Sequence, residues 1–251
     1  MVKAILFDMD GVLVDVSRSY RRAIQETAAH FTGRDIPVGT IQRYKNHGGF
    51  NDDWKLTHAI ISSTGIQVSL PRVTAAFQRL YRGDNWNGLI AEETALIRHD
   101  VLERLRSQVN IMGVVTGRPK EEAQWAVKHF GWAKYLPLLV PRERHERRPK
   151  PDPYPLQHAL MVLDAIGRKT EPEEAVYIGD TVDDMVAARA AGMWAIGVVP
   201  PYLDAAEHEA VLTERGAHIV LHDVNDLPEL IANFKERMMP EAEVEEVSIR
   251  R

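Results

Sequence analysis

Short apolar segments alternate with amphipathic helical segments along most of this chain, and this alternation limits its fold more than any other feature. Between the apolar runs, hydrophobic residues recur at helical spacing, as in Ala123, Ala126, Val127 and Phe130. A strand–helix–strand order of this kind predicts an α/β fold, with a doubly wound, Rossmann-like parallel sheet. The runs that have the length and near-continuous hydrophobicity of buried parallel strands are residues 2–7, 109–115, 136–140, 175–178, 195–199 and 218–221.

A stretch near the N-terminus interrupts this alternation, because it contains helical patterns only. One apolar stripe runs from Tyr20 to Phe31, and another runs from Val73 to Tyr81. Between them, a turn-rich loop over residues 45–54 leads into a third predicted helix. The early strand at residues 2–7 needs later strands as its partners. We therefore predict an α-helical cap inserted into the core, and not two independent domains in series.

The predicted domain boundaries follow from these patterns. The α-helical cap comprises residues 17–87, and the α/β core comprises residues 1–16 and 88–239. Residues 240–251 are rich in glutamate and have little periodicity, which predicts a flexible acidic tail.

Composition excludes several classes of function. The 251 residues contain no cysteine, which excludes disulfides, zinc ribbons and thiol nucleophiles. With a formal net charge of −5, the protein lacks the excess of basic residues that is typical of nucleic-acid-binding proteins. No apolar run approaches the roughly 18 residues that span a bilayer, and the strand pattern at the start leaves no room for a signal peptide. We therefore expect a cytoplasmic monomer or homodimer that binds neither nucleic acid nor membranes.

Carboxylates follow two of the predicted strands, at the sheet edge where open α/β sheets bind their ligands. Asp8 and Asp10 come directly after the first strand, and Asp180 and Asp184 follow the strand at 175–178. If these strands are neighbours, the four carboxylates repel one another and favour a hard cation such as Mg²⁺. Simpler explanations also exist, because Asp-Gly is a common turn and acidic residues are favoured in the first turn of a helix.

Two further motifs contain groups that suit phosphate. Thr116 follows an apolar strand, and Gly117 and Arg118 lead into a helix whose exposed amides attract anions. Lys150 lies between prolines that restrict the backbone. A plain strand–turn–helix connection explains the first motif equally well, and a solvated loop explains the other basic residues near Lys150. We expect His145 at a surface.

Taken in order, these motifs resemble those of the haloacid dehalogenase-like (HAD) phosphatase superfamily. A helical cap between the first and second motifs resembles the subfamily I phosphatases, the phosphoglycolate phosphatase-like branch, to which β-phosphoglucomutase is related. The resemblance covers most of the chain outside the cap and the tail. The motifs that carry it are Asp8-Met9-Asp10-Gly11, Thr116, Lys150 and Gly179-Asp180-Thr181-Val182-Asp183-Asp184.

The resemblance implies a role for each of these residues. Asp8 would be the nucleophile that forms an aspartyl-phosphate, and Asp10 would be the general acid and base. Thr116 and Lys150 would hold the phosphoryl oxygens. The implied Mg²⁺ ligands are the Asp8 side chain, the Asp10 backbone carbonyl and Asp180, with Asp184 as a ligand or directly behind one.

The second aspartate separates branches of this superfamily. The dehalogenases and the phosphonate hydrolases lack an acid at the position of Asp10, so the resemblance disfavours both reactions. It implies instead a Mg²⁺-dependent phosphatase for a small phosphorylated metabolite.

The cap loop is expected to select the substrate. The predicted substrate contacts are Lys45, Asn51 and Trp54 from the cap, with Gly117 and Arg118 from the core. This loop differs from the usual phosphoglycolate phosphatase cap and resembles that of HAD proteins linked with histidine biosynthesis, so the resemblance implies phosphoglycolate or histidinol phosphate. A solvated helix–helix loop anchored by Trp54 is the structural alternative.

Two other functions remain open at this point. A mutase of the β-phosphoglucomutase type shares the whole core and uses a sugar hydroxyl in place of water. A phosphoacceptor signalling domain, like a response-regulator receiver, also groups carboxylates, a threonine, a lysine and Mg²⁺ around an aspartate. Its acceptor, however, would lie on a later strand, and it would lack the cap.

Overall fold

The computed structural model describes residues 2–234 and Glu236, and its core is a six-stranded parallel sheet. The predicted α/β class is confirmed. Two further short strands, β2 and β3, pair separately as an antiparallel ribbon. In chain order the strands are β1 (Ala4–Phe7), β2 (Val14–Asp15), β3 (Thr94–Ala95), β4 (Ile111–Val115), β5 (Leu138–Val140), β6 (Ala175–Gly179), β7 (Trp194–Val198) and β8 (Ile219–Leu221).

The sheet has the order β5-β4-β1-β6-β7-β8, which is the doubly wound arrangement with its reversal of direction beside β1. At the end of β1, Phe7 pairs with Val114 of β4 on one side and with Ile178 of β6 on the other. The carboxyl ends of these three strands are therefore adjacent. The first strand and the strand at 175–178 are therefore neighbours, which meets the condition under which their carboxylates come together.

Helices cover both faces of this sheet. Ile5 and Phe7 of β1 pack into one apolar cluster and Ala4 and Leu6 into the other, and all four are fully buried. Burial on both faces explains why the strands read as continuous apolar runs. The helices of the described chain are α1 (Tyr20–Thr32), α2 (Val38–His47), α3 (Asp53–Ser63), α4 (Leu70–Tyr81), α5 (His99–Gln108), α6 (Lys120–His129), α7 (Tyr154–Ala165), α8 (Val182–Ala190), α9 (Ala205–Glu214) and α10 (Leu227–Ala232).

The helices α1 to α4 follow β2 and precede β3. α1 packs against α2, α3 and α4, and buried residues such as Ile24, Ile60 and Phe77 belong to the same apolar cluster as one face of the sheet. The two strands of the β2–β3 ribbon hold the entry and exit of this helical segment together.

One helix of this segment was not predicted. α2 buries a single residue, Ile41, so its apolar periodicity is too weak to identify from the sequence. Lys45 lies in its last turn and not in the loop, which correspondingly begins at Gly48.

The predicted acidic tail, residues 240–251, lies outside the described residues, as do residues 237–239 of the predicted core. Within the described part of the chain, none of the helices combines the length and the hydrophobicity that crossing a bilayer requires.

Candidate active site

Three carboxylates meet at the carboxyl edge of the sheet. Asp8 follows β1, Asp180 follows β6, and Asp184 lies in the first turn of α8. Each offers an oxygen atom within 4.8 Å of the others, and all three side chains have little contact with solvent. The sheet order therefore brings together residues that lie more than 170 positions apart in the sequence.

Two glycines allow this close approach. Gly11 has a φ of +73°, and a Cβ atom at this position would overlap the carboxylate of Asp180. A Cβ atom on Gly179 would overlap the side chain of Asp184. Glycine is thus required at both positions by the packing of the carboxylates, and at Gly11 by the backbone conformation as well.

The start of α8 orients Asp184. The Thr181 hydroxyl oxygen accepts a hydrogen bond from the Asp184 amide at 3.3 Å, and Asp184 Oδ2 accepts one from the Thr181 amide at 3.0 Å. This reciprocal capping confirms that the motif starts a helix. It leaves Asp184 Oδ1 for Lys150, whose Nζ lies 2.6 Å away.

Lys150 is the cation of this cluster. Its Nζ lies 3.1 Å from Asp8 Oδ1 and donates to the Tyr177 hydroxyl at 2.7 Å, and the side chain is fully buried. Burial alone would lower the pKa of Lys150, but the charges of Asp184 and Asp8 together raise it above its usual value. Lys150 is therefore charged, and Tyr177, which donates to the Val115 carbonyl at 3.0 Å, helps to hold it in place.

The carboxylates of the cluster carry more negative charge than Lys150 offsets. Burial raises the pKa of Asp8 to about 7, with the charges of Asp184 and Asp10 adding to the effect of burial and Lys150 opposing it. Burial, Asp184 and Asp8 raise the pKa of Asp180 well above its usual value. Asp8 Oδ1 is buried without a well-formed hydrogen bond. This set of oxygen donors fits a hard divalent cation.

Asp10 does not join this group but pairs with Arg118. Arg118 Nε donates to Asp10 Oδ1 at 2.7 Å, and its Nη1 donates to Glu93 Oε2 at 3.0 Å. Both Arg118 and Glu93 are buried, and Glu93 also accepts from the Ser19 hydroxyl at 2.8 Å and the Tyr81 hydroxyl at 2.9 Å. The guanidinium of Arg118, which was predicted to contact substrate, thus donates its hydrogen bonds to the carboxylates of Asp10 and Glu93.

Glu93 is the residue of this network that the sequence did not reveal. It lies just before β3 with no motif around it, and no helical or strand periodicity marks it as buried. Burial raises its pKa, although the charge of Arg118 opposes this shift. Because Ser19 and Tyr81 flank the helical segment, Glu93 links that segment to the residue that holds Asp10.

The loop between α2 and α3 contacts the core at two places. The amide of Gly49 donates to both oxygens of Asp183, at 2.8 and 3.0 Å. Arg142 Nη2 donates to Asp52 Oδ2 at 2.6 Å, and its guanidinium lies 4.6 Å from the ring centre of Trp54. Arg142, which the sequence suggested to be a solvated loop residue, therefore holds this loop against the core.

A cavity lies beside this site and is lined in part by Asp8, Asp10 and Asp180. Some of the predicted site residues line this cavity, and others are buried outside its lining. Thr116, Lys150 and Asp184 are buried and do not line the cavity. The residues that sequence reasoning did not assign to it include Tyr20, Arg21, Gln42 and Tyr202. The predicted site residues that do line it are Asp8, Asp10, Lys45, Asn51, Trp54, Gly117, Arg118 and Asp180.

His145 lies inside the protein, so its predicted surface position is wrong. It is 2% exposed, and neither ring nitrogen makes a well-formed hydrogen bond. Burial, and then the positive charges of Lys150 and Arg142, lower the pKa of His145 to about 4. The folded protein therefore holds the neutral imidazole.

This burial predicts a pH dependence of stability. A histidine that titrates at about 4 when folded and about 6.5 when unfolded contributes its full stability above pH 6.5 and loses it as the pH falls toward 4. At pH 5 the loss is about 2 kcal/mol of unfolding free energy. Urea unfolding at pH 7 and pH 5 should therefore show a smaller acid loss for His145→Leu than for wild type.

The exposed His99 provides the matched control for that measurement, as His99→Leu. The acid loss of His145→Leu should differ from that of wild type by more than the acid loss of His99→Leu does. An identical acid loss in His145→Leu and wild type would show that protonation of His145 does not limit stability.

Comparison with known proteins identifies the family. A family model described as haloacid dehalogenase-like hydrolase matches residues 2–192. An imidazoleglycerol-phosphate dehydratase from Phytophthora nicotianae is 38% identical over 88% of this chain, which spans about half (50%) of that relative's length. A phosphoglycolate phosphatase from Cupriavidus necator is 29% identical, with 76% of this chain and 78% of the relative covered.

A solved structure supports the same conclusion for the fold. A conserved haloacid dehalogenase-like protein of unknown function from Agrobacterium tumefaciens matches with a TM-score of 0.71 at 22% identity, over 94% of this chain and 100% of that one. The match to the family model confirms the resemblance that the ordered motifs indicated. The family model spans both the strand that precedes Asp8 and the helix that contains Asp184, so this chain belongs to the haloacid dehalogenase-like hydrolase family.

Proposed function

We propose that this protein is a Mg²⁺-dependent phosphatase that hydrolyses a small phosphomonoester through an aspartyl-phosphate on Asp8. The observation that carries the proposal is the convergence of Asp8, Asp180 and Asp184 around the buried cation of Lys150. Membership of the family and the phosphatase name of the Cupriavidus necator relative support it.

The proposed reaction has two displacements at phosphorus. First, a carboxylate oxygen of Asp8 attacks phosphorus and the bond to the leaving oxygen breaks, while Asp10 gives that oxygen a proton. Then Asp10 takes a proton from water, the water oxygen attacks phosphorus, and the bond to Asp8 breaks. Inorganic phosphate leaves, and both aspartates return to their starting states. Because Arg118 binds Asp10 Oδ1, we assign the proton transfers to Oδ2.

Thr116 and Lys150 are the groups that we assign to the phosphoryl oxygens. The Thr116 hydroxyl oxygen accepts a hydrogen bond from the Arg118 amide at 3.1 Å, which leaves its own hydrogen to donate. Lys150 places a fixed positive charge beside Asp8, where negative charge accumulates as phosphate approaches.

The carboxylate cluster is our assignment for the metal. Asp8, Asp180 and the backbone carbonyl of Asp10 would hold Mg²⁺, with Asp184 beside them. When bound, the cation offsets the charge shared by these carboxylates and the phosphoryl group.

We further propose that residues 17–87 act as a cap over the reaction. Lys45, Asn51 and Trp54 would then contact the leaving group from one side, and Gly117 and Arg118 from the other. Phosphoglycolate and histidinol phosphate are the candidate substrates; the names of the two curated relatives, one a phosphoglycolate phosphatase and one named for an imidazole phosphoester, support testing both. The cytoplasmic location remains a prediction.

Metal removal tests this function directly. We expect phosphate release from at least one ester in a panel of phosphoglycolate, histidinol phosphate, sugar phosphates and nucleoside monophosphates. Because the metal supplies several kcal/mol of charge stabilisation, a chelator should lower kcat/KM by at least about 100-fold, and added Mg²⁺ should restore it. Release that a chelator does not affect, or no release from any ester, would contradict the proposal.

A further inference from the structure

Of the four basic residues that line the cavity, three form ion pairs with carboxylates and one does not. Arg118 pairs with Asp10, Lys45 Nζ lies 2.9 Å from Asp53 Oδ1, and Arg142 pairs with Asp52. Arg21 is the fourth base that lines the cavity. In the described part of the chain, no carboxylate oxygen lies within 4.0 Å of its side-chain nitrogens.

Arg21 is nonetheless buried and held in one orientation. It lies in the first turn of α1 and is 4% exposed. Its Nη1 donates to Gln42 Oε1 at 3.2 Å, and its Nη2 donates to the same oxygen. Gln42 is oriented in turn, because its Nε2 donates to Asn46 Oδ1 at 2.7 Å. The guanidinium lies 4.8 Å from the ring centre of Tyr202, and the ring helps to fix its position.

The buried guanidinium of Arg21 has a neutral amide as its hydrogen-bond partner and no negative charge to balance its own. Taking a charge out of water is costly unless an opposite charge and hydrogen bonds compensate for it. Five N–H donors in a planar fork suit a carboxylate, which accepts two of them in parallel. An anion delivered into the cavity would supply the missing partner of Arg21.

The cap carboxylates offer no equivalent site for a cation. Asp52 and Asp53 are engaged with Arg142 and Lys45, so an ammonium group on a substrate would meet carboxylates that are already paired. The remaining carboxylates of the cavity, Asp8, which contacts Lys150, and Asp180, belong to the site assigned to the metal. The charge pattern of the cavity therefore favours a leaving group that is an anion.

We propose that Arg21 binds a carboxylate on the leaving group, so that the enzyme selects phosphomonoesters of small hydroxy acids over neutral or amine-bearing esters. This inference deepens the proposed function and rests on it. Gln42 and Tyr202 are positioning residues, since they hold the guanidinium and need not touch the substrate.

A binding measurement tests this proposal without requiring turnover. With Mg²⁺ present, we expect wild type to bind phosphonoacetate, which carries a carboxylate, about 10- to 100-fold more tightly than 2-hydroxyethylphosphonate, because charge-assisted hydrogen bonds are lost with the latter. In Arg21→Gln this ratio should fall below about threefold. Arg21→Lys should keep part of it, since the charge remains but the planar fork is lost.

The neighbouring arginine provides a matched control. Arg22 is exposed on the same helix and pairs with Glu26 and Glu92 outside the cavity, so Arg22→Gln should keep the wild-type ratio. Equal binding of the two phosphonates by wild type would overturn the proposal, and this comparison needs no variant. A full wild-type ratio in folded Arg21→Gln would overturn it as well.

Kinetics separate this proposal from the function on which it rests. The kcat/KM of wild type should be higher for phosphoglycolate than for 2-hydroxyethyl phosphate and 2-aminoethyl phosphate, and Arg21→Gln should reduce that preference mainly through KM. Absence of hydrolysis of these three esters and of every other ester in the panel, with the phosphonate preference intact, would contradict the phosphatase function and leave the carboxylate site supported. Hydrolysis of the three esters with equal kcat/KM would support the phosphatase function and contradict the carboxylate site.

Discussion

Asp8→Asn is expected to lower kcat by at least about 10⁴-fold for every ester that the wild type hydrolyses, because loss of a nucleophile has effects of this size or larger. An amide oxygen is a poor nucleophile, and the amide cannot form the acyl phosphate. Phosphate release measured over a long time course provides the readout. In wild type, brief reaction with a radiolabelled ester followed by acid quench should also trap label on the protein, and Asp8→Asn should trap none.

The same substitution should not unfold the protein. Asp8 is buried close to Asp184 and Asp180, and its raised pKa shows that its charged form is disfavoured there. A neutral amide relieves this repulsion, and Lys150 keeps its contact with Asp184. Without added metal, the melting temperature of Asp8→Asn should therefore equal or exceed that of wild type. Retention of more than a few per cent of activity by a folded Asp8→Asn would rule out Asp8 as the nucleophile.

An exposed aspartate provides the control for this comparison. Asp164 lies on α7, away from the cavity, so Asp164→Asn should keep wild-type activity. A loss of activity in both variants would indicate a general effect of the substitution.

Arg118→Met is expected to lower the free energy of unfolding by about 3–5 kcal/mol, because removal of one partner of a buried ion pair leaves the other charge uncompensated. The Arg118 and Glu93 side chains are completely buried, and Arg118 is the cation that contacts Glu93. Asp10 loses the same partner and with it a fixed orientation, so kcat should fall as well. Urea unfolding and phosphate release measure the two effects separately.

The pH dependence of this variant tests the reason for the loss. Burial raises the pKa of Glu93, and without Arg118 the protonated form becomes still more favourable in the folded state. The stability deficit should therefore shrink as the pH is lowered from 8 to 5.5. Glu93→Gln added to Arg118→Met should recover part of the stability at pH 8, because it removes the buried charge.

Arg98 offers the corresponding surface control. It forms an exposed ion pair with Asp100, and pairs of this kind contribute little to stability. Arg98→Met should leave the unfolding free energy nearly unchanged. A deficit in Arg118→Met that is as small as this control, or that does not depend on pH, would contradict the role assigned to the network.

The residues around the site show how far local patterns predict a fold. The strands were recognisable because burial on both sheet faces demands continuous apolar runs, and the start of α8 because Thr181 and Asp184 form a local capping pair. The position of Asp8 and Asp180 at one edge followed from strand polarity. In contrast, α2 was missed because it buries only Ile41, and His145 was misplaced because it lies in a basic loop sequence that conceals its burial.

Pairings between distant residues were beyond the reach of the sequence. Glu93 and Arg118 are 25 positions apart, and Arg21 and Gln42 are 21 positions apart on different helices. The sequence around a charged residue does not show whether its side chain contacts another protein group, solvent or a ligand. The ion pairs of Arg118 with Asp10 and Glu93 were therefore not predicted, and Arg21, with no motif around it, was overlooked.

The α/β class and the order of the motifs could be predicted from the amino-acid pattern, since they depend on periodicity and on residue types beside strand ends, while the roles expected of Asp8, Asp10, Thr116 and Lys150 came from the resemblance of those motifs to a family. Which charged side chains are paired and which have no charged partner became visible only in the folded protein. That distinction depends on distances between side chains from separate elements, because the energy of a buried charge is set by what lies within a few ångströms of it. The unpaired guanidinium of Arg21 is visible only when those neighbours are in place.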